Sequence, residues 1–395
     1  MKKILLVARI DSVHTARWVE QINTQNWKVY LFPSTVIENV HPGLNGVVIL
    51  LSFLTRIRLL LERVGFRFLA KLVERVRTYF ENSNPELRIR RLKRLIERLR
   101  PDIVHSMEIQ AAGYLALDVK NSMMGQFPPW LVTNWGSDIY LFGRLAEHEG
   151  RIRNVMAECD FYSCECERDV GLAKEFGFNG TVLPVNPNSG GFDLDSVVPF
   201  RRGEMHSRKL IMLKGYQGWA GRALVGLRAL ELCAELLSEY TIVIYSAAPE
   251  VLIAAELFSK KTGVKVQILP QNAAHQQILA LHGQARISMG LSISDAISVS
   301  LQEAMVMGSF PIQSCTACAD EWLQDGVSGF IVPPEDPEPI AAAIRTALTD
   351  DALVDGAAKI NWQVAKDRLE QGALRQKAVG MYHQLLGSAA TITND

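Results

Sequence analysis

Residues 181–204 read TVLPVNPNSGGFDLDSVVPFRRGE, and this stretch decides how the chain is organised. Its prolines, glycines and asparagines follow neither a strand period nor a helix period, which marks a connector. Before it, KKILLVA (2–8), KVYLFPS (28–34), GVVILL (46–51), DIVH (102–105), WLVTNW (130–135) and DFYSC (160–164) read as buried strands. After it the series restarts with KLIMLKG (209–215), YTIVIYS (240–246), VKVQILP (264–270), ARISMGLS (285–292), SFPIQS (309–314) and GFIVPPE (329–335). Helical tracts such as 223–237 separate the strands, so each series predicts a parallel, doubly wound α/β sheet. The expected plan is a Rossmann-like domain over 1–190, a linker over 191–207 and a second Rossmann-like domain over 208–365. An interdomain cleft would be faced by the carboxyl ends of the strands, where such sheets bind ligands. The helical, polar tail over 366–395 is a candidate to return to the first domain.

Composition narrows the class. A chain of 395 residues is long enough for two hydrophobic cores. Lys+Arg and Asp+Glu both number 42, so the overall charge points to no polyanionic partner. The opening MKKILLVARI runs into Asp11 with no small-residue cleavage site, and reads as a first strand rather than a signal peptide. No apolar run approaches the roughly 18 residues of a membrane span. The expected location is the cytoplasm, with reduced thiols. Cys315 and Cys318 (CxxC) and Cys164 and Cys166 (CxC) lack a second ligand pair and read as structural. Asp193-Leu194-Asp195 has no strand before it, so it does not read as a metal-diphosphate motif. No metal and no cofactor are expected.

The chemistry concentrates in SISDAISVSLQEAMVMGSFPI (292–312). A strand ends near Ser292, small polar residues follow, and a helix begins near Ser298 or Ser300. Gly308 ends that helix and Pro311 enters the next strand. Free amides at a helix start favour a phosphate, with Glu303 within reach. Ser300 and Glu303 also satisfy a capping box, the purely structural reading.

Asp295, seven residues, Glu303, Ala304-Met305, Gly308 and Pro311 together resemble the donor site of the family 4 glycosyltransferases of the GT-B fold. That family carries Glu at the first position and Gly-Phe-Gly where this chain has Ala296-Ile297-Ser298. Ser12-Val13-His14, Pro101-Asp102-Ile103-Val104-His105, Gly136-Ser137-Asp138 and Glu321 with Gly326 and Gly329 also fall where the family has such residues. The resemblance implies a GT-B fold and transfer of a sugar, with retention and without metal, from a nucleoside diphosphate sugar. It implies that Glu303 accepts hydrogen bonds from the ribose hydroxyls and that Asp295 faces the transferred sugar. Ser298, Ser300, Gly215 and Leu269 would complete the donor pocket. Lys214 and Arg222 would stand where family members place a basic pair on the leaving diphosphate, on a longer spacing than usual. Asp138 would orient the sugar or polarise the acceptor hydroxyl, with a helix cap as the competing role. Trp135 stands where many relatives carry a His. On the acceptor side the implied residues are His14, Arg17, His105 and Trp135. No strong general base stands out, which suits a leaving phosphate that takes the acceptor proton.

Between 51 and 100 there are 14 Lys/Arg against 5 Asp/Glu, interleaved with Leu, Ile, Val and Phe. The tracts 54–80 and 87–100 read as basic amphipathic helices. Two readings stand: helices packed on the sheet with their charge in solvent, or contact with an anionic membrane face beside a lipid-linked acceptor. The charge comes with no recognition motif, so nucleic acid is not expected. A glycan or lipid-linked acceptor follows from the resemblance. Two alternatives stay open, a nucleotide-sugar epimerase of the same fold and a non-catalytic nucleotide-sugar-binding partner of a transferase.

Overall fold

The computed structural model describes residues 1–36 and 39–392. The chain divides into two compact units, Met1–Gly190 with the C-terminal segment from Arg375, and Gly191–Leu374. The segment expected as a linker at 191–207 thus lies within the second unit. The tail divides near Arg375, and its last residues, 393–395, fall outside the described ones.

In the first unit β1 (Lys2–Ala8), α1 (Val13–Ile22), β2 (Trp27–Pro33) and β3 (Val48–Ile49) come first. Three helices follow, α2 (Phe53–Arg63), α3 (Arg67–Ser83) and α4 (Pro85–Leu99). Then come β4 (Ile103–Met107), α5 (Tyr114–Ser122), β5 (Trp130–Thr133) and α6 (Ser137–Tyr140). The unit continues through α7 (Ala146–Glu158), β6 (Phe161–Ser163), α8 (Glu167–Glu175) and β7 (Thr181–Val182). All strands are parallel, in the order β3-β2-β1-β4-β5-β6-β7. The single helix expected at 54–80 is two, because Gly65 at φ 88 breaks it. The strand expected at 46–51 pairs over two residues only.

The second unit opens with the short α9 (Leu194–Val197), capped by Asp193, whose carboxylate accepts Ser196 N–H at 3.3 Å. Then follow β8 (Leu210–Lys214), α10 (Ala223–Glu231), β9 (Thr241–Tyr245), α11 (Pro249–Thr262), β10 (Lys265–Ile268) and α12 (His275–His282). The unit closes with β11 (Ala285–Gly290), α13 (Val299–Met307), β12 (Phe310–Ser314), β13 (Phe330–Val332), α14 (Pro337–Thr349) and α15 (Asp351–Arg368). The strand order β10-β9-β8-β11-β12-β13 is again wholly parallel. Both sheets carry the doubly wound order, with the reversal of winding between β1 and β4 and between β8 and β11.

Strand period 2 places each core. Leu5 and Val7 enter one layer of the first unit, and Ile4, Leu6 and Ala8 the other. The final helix, α16 (Gln371–Ile392), closes the second layer with Met381, Tyr382, Leu385 and Leu386. The Tyr382 hydroxyl accepts Trp18 Nε1–H at 3.0 Å and lies 2.6 Å from His105 Nδ1. Tyr382→Phe removes both bonds and leaves two buried nitrogens unsatisfied. The expected cost is about 1–3 kcal/mol, read as an earlier denaturant midpoint of the unit that contains α16.

Candidate active site

In the second unit the winding reverses between β8 and β11, and the residues that follow these strands are joined. Ile293 N–H donates to Ala220 O at 2.9 Å, Arg222 N–H to Leu291 O at 3.0 Å, and Gly221 pairs with Ser292. The Gly-rich loop after β8 and the 292–298 loop after β11 are therefore one surface. Glycine is required in the first of these. A Cβ on Gly215 would meet Ala247 Cα at 2.6 Å, and one on Gly221 would meet Tyr216 O at 2.2 Å. Lys214 ends β8, half-buried, with its Nζ 4.5 Å from the Tyr216 ring centroid. No carboxylate among the described residues pairs with it.

Arg222 has a different position from the one expected of it. It donates through Nε to Glu335 at 2.9 Å, and through Nη1 to Gly218 O at 3.0 Å and Gly221 O at 2.9 Å. Its Nε and Nη1 hold the loop in shape. Asp295 accepts Ala296 N–H at 3.0 Å within the 292–298 loop. Ser298 caps α13, and its hydroxyl lies 2.6 Å from that of Ser300, inside the helix. Ser300 is thus a first-turn residue, and the capping box with Glu303 does not form. Leu269 lies in the apolar layer with Met212, Val243, Tyr245 and Ala285, and contributes packing.

Glu303 points inward and is nearly fully buried. Its Oε1 accepts from His275 Nε2 at 2.7 Å, and His282 Nε2 stands 3.5 Å from Oε2. Burial pushes the carboxyl up, but the hydrogen bonds and charges of the two histidines outweigh it and hold it at about 2. The carboxylate is an obligate acceptor at any working pH. His275, the first residue of α12, also stacks on Phe192, with ring centroids 6.5 Å apart. The buried Tyr245 hydroxyl meets Ser300, and both amide atoms of buried Gln313 have no partner among the described residues. A Cβ on Gly290 would strike Gln313 Oε1 at 2.7 Å and approach Ser300 Oγ at 3.0 Å, so Gly290 lets these groups meet. The sequence reading missed His275, Tyr245 and Gln313. Their one signal is position, near the carboxyl end of a strand for Tyr245 on β9 and Gln313 on β12 and at the start of a helix for His275 on α12.

In the first unit the reversal between β1 and β4 gathers residues also missed. Arg9 chelates Asp11 after β1, at 3.3 and 3.1 Å. Glu108 follows β4 with φ 88, a conformation costly for a non-glycine residue, and a π-turn over Ile109–Gly113 continues from it. Ser34 after β2 donates to Glu108 Oε1 at 3.2 Å. Burial pushes the Glu108 carboxyl up to about 7, against the pull of Arg9. Asp138 is in-turned, accepting the amides of Ile109 at 3.0 Å and Trp135 at 2.9 Å, and burial with the nearby Glu108 charge raises it strongly. Both amides bond the same oxygen, Oδ2, so Asp138 positions the Glu108 turn. Exposed His14 stands 5.5 Å from the Trp135 ring, and half-buried Arg17 has no ion-pair partner among the described residues. His105 is not on a surface at all. Both ring nitrogens are bonded, to Tyr382 and to Thr133 Oγ1 at 2.6 Å each, and burial lowers its pKa to about 3. The acceptor-side place expected of it is closed to a ligand.

Two doubly wound units with ligand-ready reversal points define the GT-B class. Residues 3–158 match the family described as glycosyl transferase 4-like, and residues 227–361 match glycosyl transferases group 1. No curated protein matches the chain in sequence. Among solved structures it is similar to a sucrose-phosphate synthase from Thermosynechococcus elongatus at a TM-score of 0.71 and 13% identity, over 98% of this chain and 100% of that one. It is also similar to an α,α-trehalose 6-phosphate synthase from Burkholderia multivorans (TM-score 0.70, 12% identity, 100% and 99% covered). A third, HepE from Anabaena solved with UDP-glucose, gives a TM-score of 0.65 at 12% identity, with 97% and 100% covered. With its 4-like and group 1 domains, the chain belongs to the GT-B glycosyltransferases.

Two buried titratable groups of the first unit should act on stability in opposite senses. His105 is held neutral, so the unfolded chain binds the extra proton, and stability should fall as pH drops from 6.5 toward about 3. Glu108 is held protonated, so its contribution is full below 4.5 and lost as pH rises through about 7. Denaturant titrations across pH should show His105→Asn removing the acid-side loss and Glu108→Gln removing the loss toward neutrality. Parallel profiles for wild type and both variants would contradict these positions.

Proposed function

We propose that the second unit holds a nucleoside diphosphate sugar and the first unit an acceptor hydroxyl, for transfer with retention and without metal. One observation carries the reading: a buried, ionised Glu303 on the helix after β11, joined through the zipped loops to Lys214 at the end of β8, which no carboxylate among the described residues pairs. Two carboxylate oxygens suit a ribose diol. Lys214 supplies the positive charge that a departing diphosphate needs, in a loop whose glycines let a phosphate approach the backbone. Arg222 acts by shaping that loop, and Asp295 by facing the sugar from the adjoining one. Ser298, Ser300 and Gly215 line the approach. HepE, solved with UDP and with UDP-glucose, supports UDP sugars as the first donors to try. On the acceptor side exposed His14 with half-buried Arg17 and Trp135 form the rim, and Glu108 is the carboxyl best placed to receive a hydroxyl. A glycan or lipid-linked acceptor, as in polysaccharide assembly at the inner face of a membrane, completes the proposal, with the enzyme in the cytoplasm.

The His275 bond to Glu303 favours a second reading, a donor site kept for binding without turnover, because a ribose must displace or join that histidine. Thermal shift and slow diphosphate release from a panel of nucleoside diphosphate sugars separate the two. Wild type should be stabilised by one nucleotide series, and Glu303→Ala should abolish the shift. Lys214→Ala should retain nucleotide binding and lower diphosphate release about a hundredfold. Binding with no release by wild type would select the non-catalytic reading. No binding, or binding indifferent to Glu303→Ala, would remove the ribose assignment.

A further inference from the structure

The α2–α3 hairpin is built with its charge inward. Arg58 is buried and reaches Glu62 at 3.0 Å and Glu74 at 3.3 Å. Arg77, with no exposed surface, reaches Glu74 at 2.5 Å and Glu81 at 3.2 Å, and Arg91 of α4 stands 3.8 Å from the same Glu81. The apolar residues face outward instead: Phe53 is 76% exposed, Phe68 80%, and Leu60, Phe66 and Leu72 half or more. A helix pair against water does the reverse. Between these side chains stand exposed Arg63, Arg67, Lys71 and Arg75, none ion-paired among the described residues.

Next to this face a cavity of about 500 Å³ opens between the start of α2, α4 and the β2–β3 edge of the sheet. Arg56, Arg90, Arg94 and Arg98 line it over Phe32 and Leu95. Arg90 has only a loose 3.6 Å contact with exposed Glu86, and the other three meet no carboxylate among the described residues. Uncompensated guanidinium groups this close repel one another and are relieved by an anion, and their forked donors match phosphate oxygens. The apolar floor suits a phosphate that carries a lipid body.

We propose that the α2–α3 face lies on a bilayer and that the arginine groove takes the phosphate of an anionic phospholipid. A second copy of the chain fits poorly, since a two-fold contact would set the same basic residues against each other. A nucleic acid would leave Phe53 and Phe68 in water. The proposal uses none of the donor-site residues and stands or falls apart from them.

The test is co-sedimentation of the full chain with phosphatidylcholine vesicles, with and without phosphatidylglycerol. Wild type should pellet only with the anionic vesicles. The Arg90→Ser/Arg94→Ser/Arg98→Ser variant should bind about a hundredfold more weakly, from three basic contacts of about 1 kcal/mol each. Phe68→Ser/Leu72→Ser should lose binding while keeping the donor-induced thermal shift of wild type. Equal pelleting on neutral vesicles, or undiminished binding by the arginine variant, would overturn the proposal. So would binding of inorganic phosphate without pelleting, or a dimer in size-exclusion chromatography that Phe68→Ser/Leu72→Ser dissociates.

Discussion

A parallel sheet can be wound only by crossovers that return over one face or the other, and where the winding reverses no connection covers the strand ends. That constraint sets everything else in this chain. It sets β1 beside β4 in one unit and β8 beside β11 in the other, with the chain winding away from each pair in opposite directions. Arg9, Asp11 and Glu108 follow the first pair directly, and Lys214, Gly215 and Ser292 the second. The residues with chemistry in them are thus gathered by topology, from positions far apart in the chain.

The two reversal points are electrostatically unlike. In the second unit the one buried carboxylate is kept ionised by histidines on a neighbouring helix, and the nearby cation has no partner. Such a surface offers a fixed acceptor and an unsatisfied positive charge. In the first unit burial pushes the Glu108 and Asp138 carboxyls toward the neutral form, and the Glu108 charge adds to the shift at Asp138. Asp138 is held there by two amides, which fixes the turn that carries Glu108 at its strained φ.

What the sequence displayed follows from range. The strands were legible because their apolar runs are continuous and their separations hold one helix each, and the site around Glu303 because Asp295, Gly308 and Pro311 accompany it locally. His275 was not, since its bond to Glu303 spans 28 residues and only the fold brings α12 beside α13. Glu108 looked like any residue after a strand, as its backbone strain and its burial are both imposed by Ser34, Asp138 and the π-turn. His105 and Arg222 went the other way. Each sits in a suggestive place in the sequence, yet His105 is absorbed by Tyr382 and Thr133, and Arg222 by carbonyls of its own loop. A polar side chain at the end of a strand declares its chemistry but not its direction.

The same limit explains the α2–α3 hairpin. Helical periodicity divides a sequence into two faces and does not say which faces inward, so 54–80 fits equally well with its arginines outside or inside. What decides it is pairing. Arg58 pairs with Glu62 on its own helix and with Glu74 across the hairpin, Arg77 pairs with Glu74 and Glu81 along α3, and once those charges neutralise each other the polar stripe becomes the buried one. A buried ion-pair ladder is only weakly stabilising after desolvation, whereas each large apolar side chain left in water forgoes about 1.5–3 kcal/mol. An arrangement that spends its hydrophobic stripe outward and its charge inward is therefore not one that water alone selects. It becomes consistent when the outward face meets an apolar phase, and the unpaired arginines along its rim specify which charge that phase must carry.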